Sequence, residues 1–438
     1  MKKKFPVVFL LLLFATALIW MIVMKNGNES IPTTHELLPR KQALAYTAEW
    51  ETVKNNATVL QKKISGDSKD TKSMIALAAL YIQEGRITEN FGHYNASAMK
   101  LVEDVLVLDA NNFEALTFKS TILLSQHQFE EAGRIAEQAR QLFPQNAYVY
   151  GLLVDARVEQ GNYKLALEAA DKMIAIRPDI RSYARVAYLR ELFGDIPGAI
   201  NAMTMAVDAG MPGDEHTEWC RYQLGKLYEK SGNIDEAELN YKITLTNREN
   251  YPYGLIGLAG IAVAQKNFEK ALSLYQQADT LCHNHIVKEG IIEVYQLTGK
   301  HKKAREMAKE VLAQVRKMAT TGNEDLEMAH AYIGLENYDK ALEYAMKEYA
   351  RRPANIEVNE TIAIILYKKS DYYNALDYIK AALVTNCKNP ELLAYAGLIF
   401  LKTGKNVEGK NMLQEALKNK PLIAADLKEE IQATGYRL

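Results

Sequence analysis

The stretch from Ala147 to Ile180 holds a pattern from which the rest of the chain can be read. Apolar side chains recur at helical spacing as far as Gln160, Gly161-Asn162 interrupts them, a second apolar-periodic run follows from Tyr163 to Ile176, and Pro178 comes next. Glycine accepts the left-handed backbone that ends a helix, and proline cannot continue one. The pattern therefore predicts two helices joined by a short turn. A small residue marks the second helix of each copy along almost the whole chain: Ala98, Ala132, Ala166, Ala199, Ala237, Ala271, Ala304, Ala341, Ala375 and Gly409, spaced 34, 34, 33, 38, 34, 33, 37, 34 and 34 residues apart. A period near 34 predicts an all-α solenoid of about ten helix-turn-helix units, each burying its apolar side against its neighbours. In a chain of 438 residues this leaves no room for a second fold outside residues 31–70. The product of such a fold is surface, so function is expected in a groove and not in a catalytic cleft.

Counting Ala147 as position 1, the small residue is position 20 (Ala166), where only a small side chain lets two helices approach closely, and position 17 is a ring (Tyr163) that fills the gap beside the turn. The ring recurs as Phe129, Phe268, Tyr338 and Tyr372, and the turn as Gly194-Asp195, Gly232-Asn233, Lys266-Asn267, Gly299-Lys300, Glu336-Asn337 and Gly404-Lys405. Positions 8, 11 and 20 are Gly225, Tyr228 and Ala237 in the fifth unit. Positions 8, 20 and 27 are Ala259, Ala271 and Ala278 in the sixth, and position 32 is proline at 144, 178, 353 and 421. With these marks in register over residues 71–421, the chain resembles a tetratricopeptide repeat (TPR) protein. The segment Arg181–Arg190 is also similar to a stretch in bacterial exported TPR proteins whose biochemistry is unassigned. The resemblance implies a superhelical solenoid that binds a protein or peptide partner, without a cofactor.

Departures from the pattern carry architectural information. The first unit has Ala78 at position 8 and its small residue at Ala98, so Ile87–Ser97 is an insert that lengthens a helix or protrudes as a loop. Arg190 replaces the position 11 tyrosine of the fourth unit and points to a polar contact near the groove. The longer spacings of 38 and 37 predict bends near 209–216 and 318–323. Residues 41–64 read as a further helix. The expected organisation is a membrane anchor or signal segment at 1–30, a helical cap and linker at 31–70, the solenoid at 71–421 and a capping helix at 422–438.

The start of the chain changes the picture of where the solenoid works. Three lysines precede Phe5–Met24, twenty residues without a charge, and Lys25 closes the run. At about 1.5 Å per helical residue this spans roughly 30 Å, the hydrocarbon thickness of a bilayer. The lysines place the N-terminus in the cytoplasm and the body outside it, in the periplasm. Ala15-Thr16-Ala17 also has the small-x-small form of a signal cleavage site, which would release the body after export. Both readings stand.

Charge and chemistry narrow the function further. With 53 basic and 54 acidic residues, the chain lacks the basic excess that nucleic acid binding requires. Cys220, Cys282 and Cys387 are too sparse for a disulfide framework. No nucleotide loop, HExxH, GxSxG or CxxC spacing is present, so no enzymatic activity, cofactor or metal is expected. Cys282-His283-Asn284-His285 brings three metal-capable side chains together without a fourth at zinc-like spacing. Gly254, Gly257 and Gly260 recur every three residues inside a helix, which reads as close packing or a groove floor. Glu130-Glu131 and Asp325 with Glu327 fall at solvated helix starts, where acidic groups favour the helix dipole.

Some aromatic residues are not explained by the core positions. In TPR proteins positions 2, 5, 9 and 12 of the first helix face the concave groove. In units three to six position 2 is Tyr148, Arg181, Trp219 and Tyr253, position 5 adds Tyr222, and position 9 gives Asp155, Tyr188 and Lys226. Rings and arginine dominate binding hot spots because they bury large area at modest entropic cost. The expected function is a protein- or peptide-binding scaffold in an extracytoplasmic envelope complex. The alternative is an accessory subunit that binds a secreted polysaccharide or its synthase, for which Asp155, Tyr188 and Trp219 supply the acidic and aromatic groups.

Overall fold

The computed structural model describes residues 36–438 apart from 283, 284, 319–321 and 436–438, and its main body runs from Pro39 to Leu438. The anchor or signal segment expected at 1–30 lies outside the described residues. No helix among the described residues is long and apolar enough to cross a membrane.

Twenty helices pair into ten units: Thr71–Thr88 with Phe91–Leu108, Phe113–Ser125 with Phe129–Leu142, Ala147–Glu159 with Tyr163–Ile176, Ile180–Leu192 with Ile196–Asp208, Glu215–Lys230 with Ile234–Asn247, Pro252–Ala264 with Phe268–Leu281, His285–Leu297 with His301–Met318, Asp325–Gly334 with Tyr338–Arg351, Ile356–Lys368 with Tyr372–Ala382, and Pro390–Lys402 with Asn406–Ala416. A helix at Ala48–Gly66 precedes them and another at Ala425–Ala433 follows. The repeat determines these elements residue by residue. Asparagines 112, 146, 355 and 389 open first helices by accepting a backbone N–H in their side chains, which satisfies one of the donors a helix start leaves free. The turn inside each unit places one residue at positive φ. It is glycine at 161, 194, 232, 299 and 404, but Glu89, His127, Lys266, Glu336 and Ser370 adopt the same conformation. The position 17 rings are the first residues of their helices. The position 20 alanines are fully buried at 98, 132, 166, 199, 237, 271, 341 and 375, and Ala304 nearly so.

The insert of the first unit is absorbed by length. Both of its helices run to 18 residues and only Glu89-Asn90 separates them, so the longer helix is the outcome and no loop protrudes. The polar contact expected of Arg190 is local. Its Nη1 lies 3.1 Å from Oδ2 of Asp195, which caps the next helix, and both side chains are half exposed at the unit's own turn, away from the groove.

Successive turns of the superhelix touch. The turn inside the second unit meets the link before the eighth, where the Asn323 N–H donates to the Gln126 carbonyl at 3.0 Å. The third unit's turn meets the link before the ninth. There the Asn355 amide donates to the Glu159 carbonyl at 3.0 Å, and the Ile356 N–H donates to the Tyr163 hydroxyl at 2.8 Å. The fourth unit's Gly194 lies against Asn386 and Lys388. In the fifth unit, the Lys230 carbonyl accepts from the Asn419 amide at 2.5 Å. These contacts join residues 189–197 apart, so one superhelical turn takes between five and six units. Arg352 is the strongest tie. It is 5% exposed, its guanidinium bonds both Glu159 and Glu348, and it stands 4.8 Å above the Phe129 ring.

Candidate partner-binding groove

First helices face inward, and the closed turn makes their concave side a cavity of about 420 Å³. Its wall carries Asp155, Tyr188, Trp219 and Tyr253 from units three to six, together with Arg86 and Glu89 from the first unit, Arg185 from the fourth, and Glu215 and His216 from the fifth. Sequence reasoning placed the first four on one face. It missed the others because Arg86 and Glu89 belong to the stretched first unit, Arg185 is one position beyond position 5, and Glu215 and His216 precede position 1. The only available signal was the crowding of charge near those groove positions.

The first unit reaches the sixth across this cavity. The Tyr253 hydroxyl donates to Glu89 Oε1 at 2.6 Å, and Arg86 Nη2 lies 3.3 Å from Glu215 Oε2. Burial is the main reason that the Glu89 carboxyl is pushed up to about 7. The Tyr253 hydrogen bond opposes this and the Glu215 charge reinforces it. His216 is held down to about 3, first by burial and then by the charges of Arg86, Arg181 and Arg185, so its imidazole is neutral and its buried Nε2 has no hydrogen-bond partner. Arg185 grips Asp155 with two bonds, 2.9 Å from Nε to Oδ1 and 2.6 Å from Nη2 to Oδ2. Trp219 leans on the His216 ring at 6.2 Å between centroids. Tyr188 leaves 43% of its surface exposed.

The other expected groove residues fall elsewhere. Tyr148 and Arg181 form a cation–π pair at 5.2 Å beside the cavity, and the Tyr148 hydroxyl shares a hydrogen bond with Thr121 on its wall. Tyr222 is 8% exposed and packs on the rings of Tyr241 and Tyr253, which makes it a core residue. Tyr222 and Lys226 border a second, smaller cavity of about 250 Å³ with Gly257 and Gly260. Tyr253 serves both roles, since its ring touches Tyr222 and Tyr251 while its hydroxyl closes the turn. Of the Cys282–His285 group, residues 283 and 284 lie outside the described residues. Cys282 is buried with its thiol donating to the Ala278 carbonyl at 3.5 Å, and His285 Nε2 is 4.0 Å from Glu289. Cys220 is an inert buried thiol, pushed up to about 12 by desolvation.

Comparison with known proteins finds the repeat in two stretches of the chain. Two family profiles described as Tetratricopeptide repeat match residues 123–192 and 222–282. The chain carries tetratricopeptide repeats. Over 174 residues it is 28% identical to Cilia- and flagella-associated protein 70 of Homo sapiens, a match that covers 38% of this chain and 15% of that protein's length. The APC/C hetero-tetramer Cut9-Hcn1 is a similar solved structure at 14% identity and a TM-score of 0.43, covering 85% of this chain and 64% of that one. A TPR protein of Parabacteroides merdae ATCC 43184 is 17% identical with a TM-score of 0.37, covering 58% of this chain and 98% of that one.

Proposed function

We propose that this protein is a non-enzymatic scaffold that grips an extended segment of a partner protein in the cavity formed by its first six units, and that Phe5–Met24 holds this body outside the cytoplasm in an envelope complex. TPR proteins are protein-interaction scaffolds in general. The observation that carries the finer reading is the joint placement of Trp219, Tyr188, Arg86 and Glu215 around one cavity, where rings offer buried area and charges offer register. The carbohydrate reading draws on Asp155, Tyr188 and Trp219, which do share the cavity. It is the weaker reading because Arg185 already occupies both oxygens of Asp155.

The test is capture of partners from the source cell's own envelope extract by the full chain, followed by affinity measurement with the captured protein. Trp219→Ala and Tyr188→Ala should each weaken binding about thirtyfold, as hot-spot truncations costing about 2 kcal/mol do, and leave the helical circular dichroism unchanged. Unaltered affinity in both variants would remove the groove from the account. The localisation is tested separately by carbonate washing of membranes, which should leave the full-length chain in the pellet. An intact mass lacking the first residues would favour the cleaved-signal reading instead.

A further inference from the structure

One side-chain cluster outside the groove is not explained by packing. At the junction of the second unit's turn with the link before the eighth, His127 Nδ1 faces three oxygens: the Asn323 carbonyl at 3.3 Å, Glu327 Oε1 at 3.5 Å and Glu324 Oε2 at 3.6 Å. Glu327 was expected on a solvated helix start but is turned inward to this cluster. Glu324 is 7% exposed, and its Oε2 and the Oε2 of Glu327 are buried without a hydrogen-bond partner. We propose that His127, Glu324 and Glu327 bind a divalent transition-metal cation such as Zn²⁺, with the Asn323 carbonyl as a fourth donor, and that the ion staples one superhelical turn to the next.

The spacing fits this role. All three N–O separations exceed the 2.7–3.2 Å of ordinary hydrogen bonds. They match the edge of about 3.4 Å between tetrahedral ligands whose bonds to zinc are about 2.1 Å. The ligand atoms of the three side chains lie within 4.8 Å of one another. One imidazole with oxygen donors suits zinc and its neighbours better than calcium or magnesium. The frame is rigid. The Asn323 N–H is bound to the Gln126 carbonyl, its amide donates to the His127 carbonyl at 3.3 Å, and Phe129 stacks on the imidazole at 5.5 Å. Arg352, the nearby cation, is committed to Glu159 and Glu348. The buried Glu324 carboxylate and the half-buried Glu327 carboxylate favour a positive charge between them. The rival candidate is the imidazolium itself: burial alone would lower the His127 pKa, but the Glu327 hydrogen bond and the two carboxylate charges raise it to about 9.

The test uses the full chain, stripped with a chelator and titrated with Zn²⁺ or Co²⁺ alone. One saturable equivalent is expected, with a Co²⁺ visible spectrum free of thiolate charge transfer and a melting temperature raised by Zn²⁺. His127→Asn and Glu327→Gln should each weaken binding at least tenfold and remove the thermal shift. Absence of saturable binding to the wild-type chain would assign the cluster to the imidazolium and overturn the proposal, as would affinity unchanged in both variants. If a variant failed to fold, the wild-type Co²⁺ spectrum would decide, because a thiolate band would assign the ion to a cysteine.

Discussion

Tyr241 is the most tightly held ring of the fifth unit, and its slot supplies a quantitative test of the packing. It is fully buried, and its hydroxyl donates to the buried Glu229 carboxylate. A Cβ added at Gly257 would lie 2.5 Å from its Cδ1, and one at Gly225, on the helix to the other side, 2.4 Å from its Cε1. Carbon atoms in contact need about 3.5–4.0 Å, so Gly257→Ala must displace the ring by roughly 1 Å. The opposite wall leaves no space for it. Overpacking of this kind costs about 1–3 kcal/mol, and misaligning the hydroxyl on Glu229 adds about 1. The better helix propensity of alanine returns about 1 kcal/mol. The net loss is about 1–3 kcal/mol. Gly260, one turn further along the same helix, has nothing within 4 Å of its added Cβ. Gly260→Ala therefore keeps the propensity gain and loses nothing. The two variants should differ by about 2–4 kcal/mol, or roughly 2–5 °C in melting temperature followed by circular dichroism. A Gly257→Ala protein as stable as Gly260→Ala would refute the packing of Tyr241 described here.

Glu89→Gln should stabilise the chain at pH 8 and leave it unchanged near pH 4. The folded carboxyl is raised to about 7, so its contribution is fully present below the unfolded value near 4.3 and is lost as pH rises through 7. Linkage sets a ceiling of about 4 kcal/mol, which water in the cavity reduces to about 1. An equal gap between variant and wild type at both pH values would contradict this. Arg352→Met should cost about 3 kcal/mol in urea unfolding, because Glu159 loses its partner and the buried Glu348 keeps only Arg351. A loss below 1 kcal/mol would show that this tie contributes little to closure.

The local grammar of this chain was legible because each unit solves the same steric problem. Only a small side chain fits where the two helices of a unit meet, which is why the alanines at position 20 recur and are buried. The positive-φ turn was visible where glycine occupies it, and its register identified Lys266 and Glu336, where nothing in the residue type does. Half of the groove was equally readable from helix-face periodicity: Asp155, Tyr188, Trp219 and Tyr253 do line one cavity. Tyr222 misled because its ring is buried against those of Tyr241 and Tyr253, and helix periodicity gave no sign that the Tyr253 hydroxyl meets Glu89, 164 residues away. The superhelical pitch left no trace in the pattern. It is set by small rotations between units and sealed by backbone groups and single side chains at the links, such as Asn355 with Glu159, which obey no local period. The His127 cluster belongs to the same category, since its members come together only when one turn lies on the next.

The closure of the superhelix underlies the cavity, the arginine tie and the cation site alike, and an interspin distance tests it most directly. Spin labels at Asn162 and Ala354, and in a second protein at Phe193 and Lys388, would be introduced with the half-buried Cys387 replaced by alanine. Gly161 lies against Ala354 and Gly194 against Lys388, so both pairs should give short, narrow distance distributions. An open stack would place the same residues five or more units apart, roughly 50 Å at about 10 Å per unit. Distributions centred there in both proteins would contradict the closed turn and every site built on it.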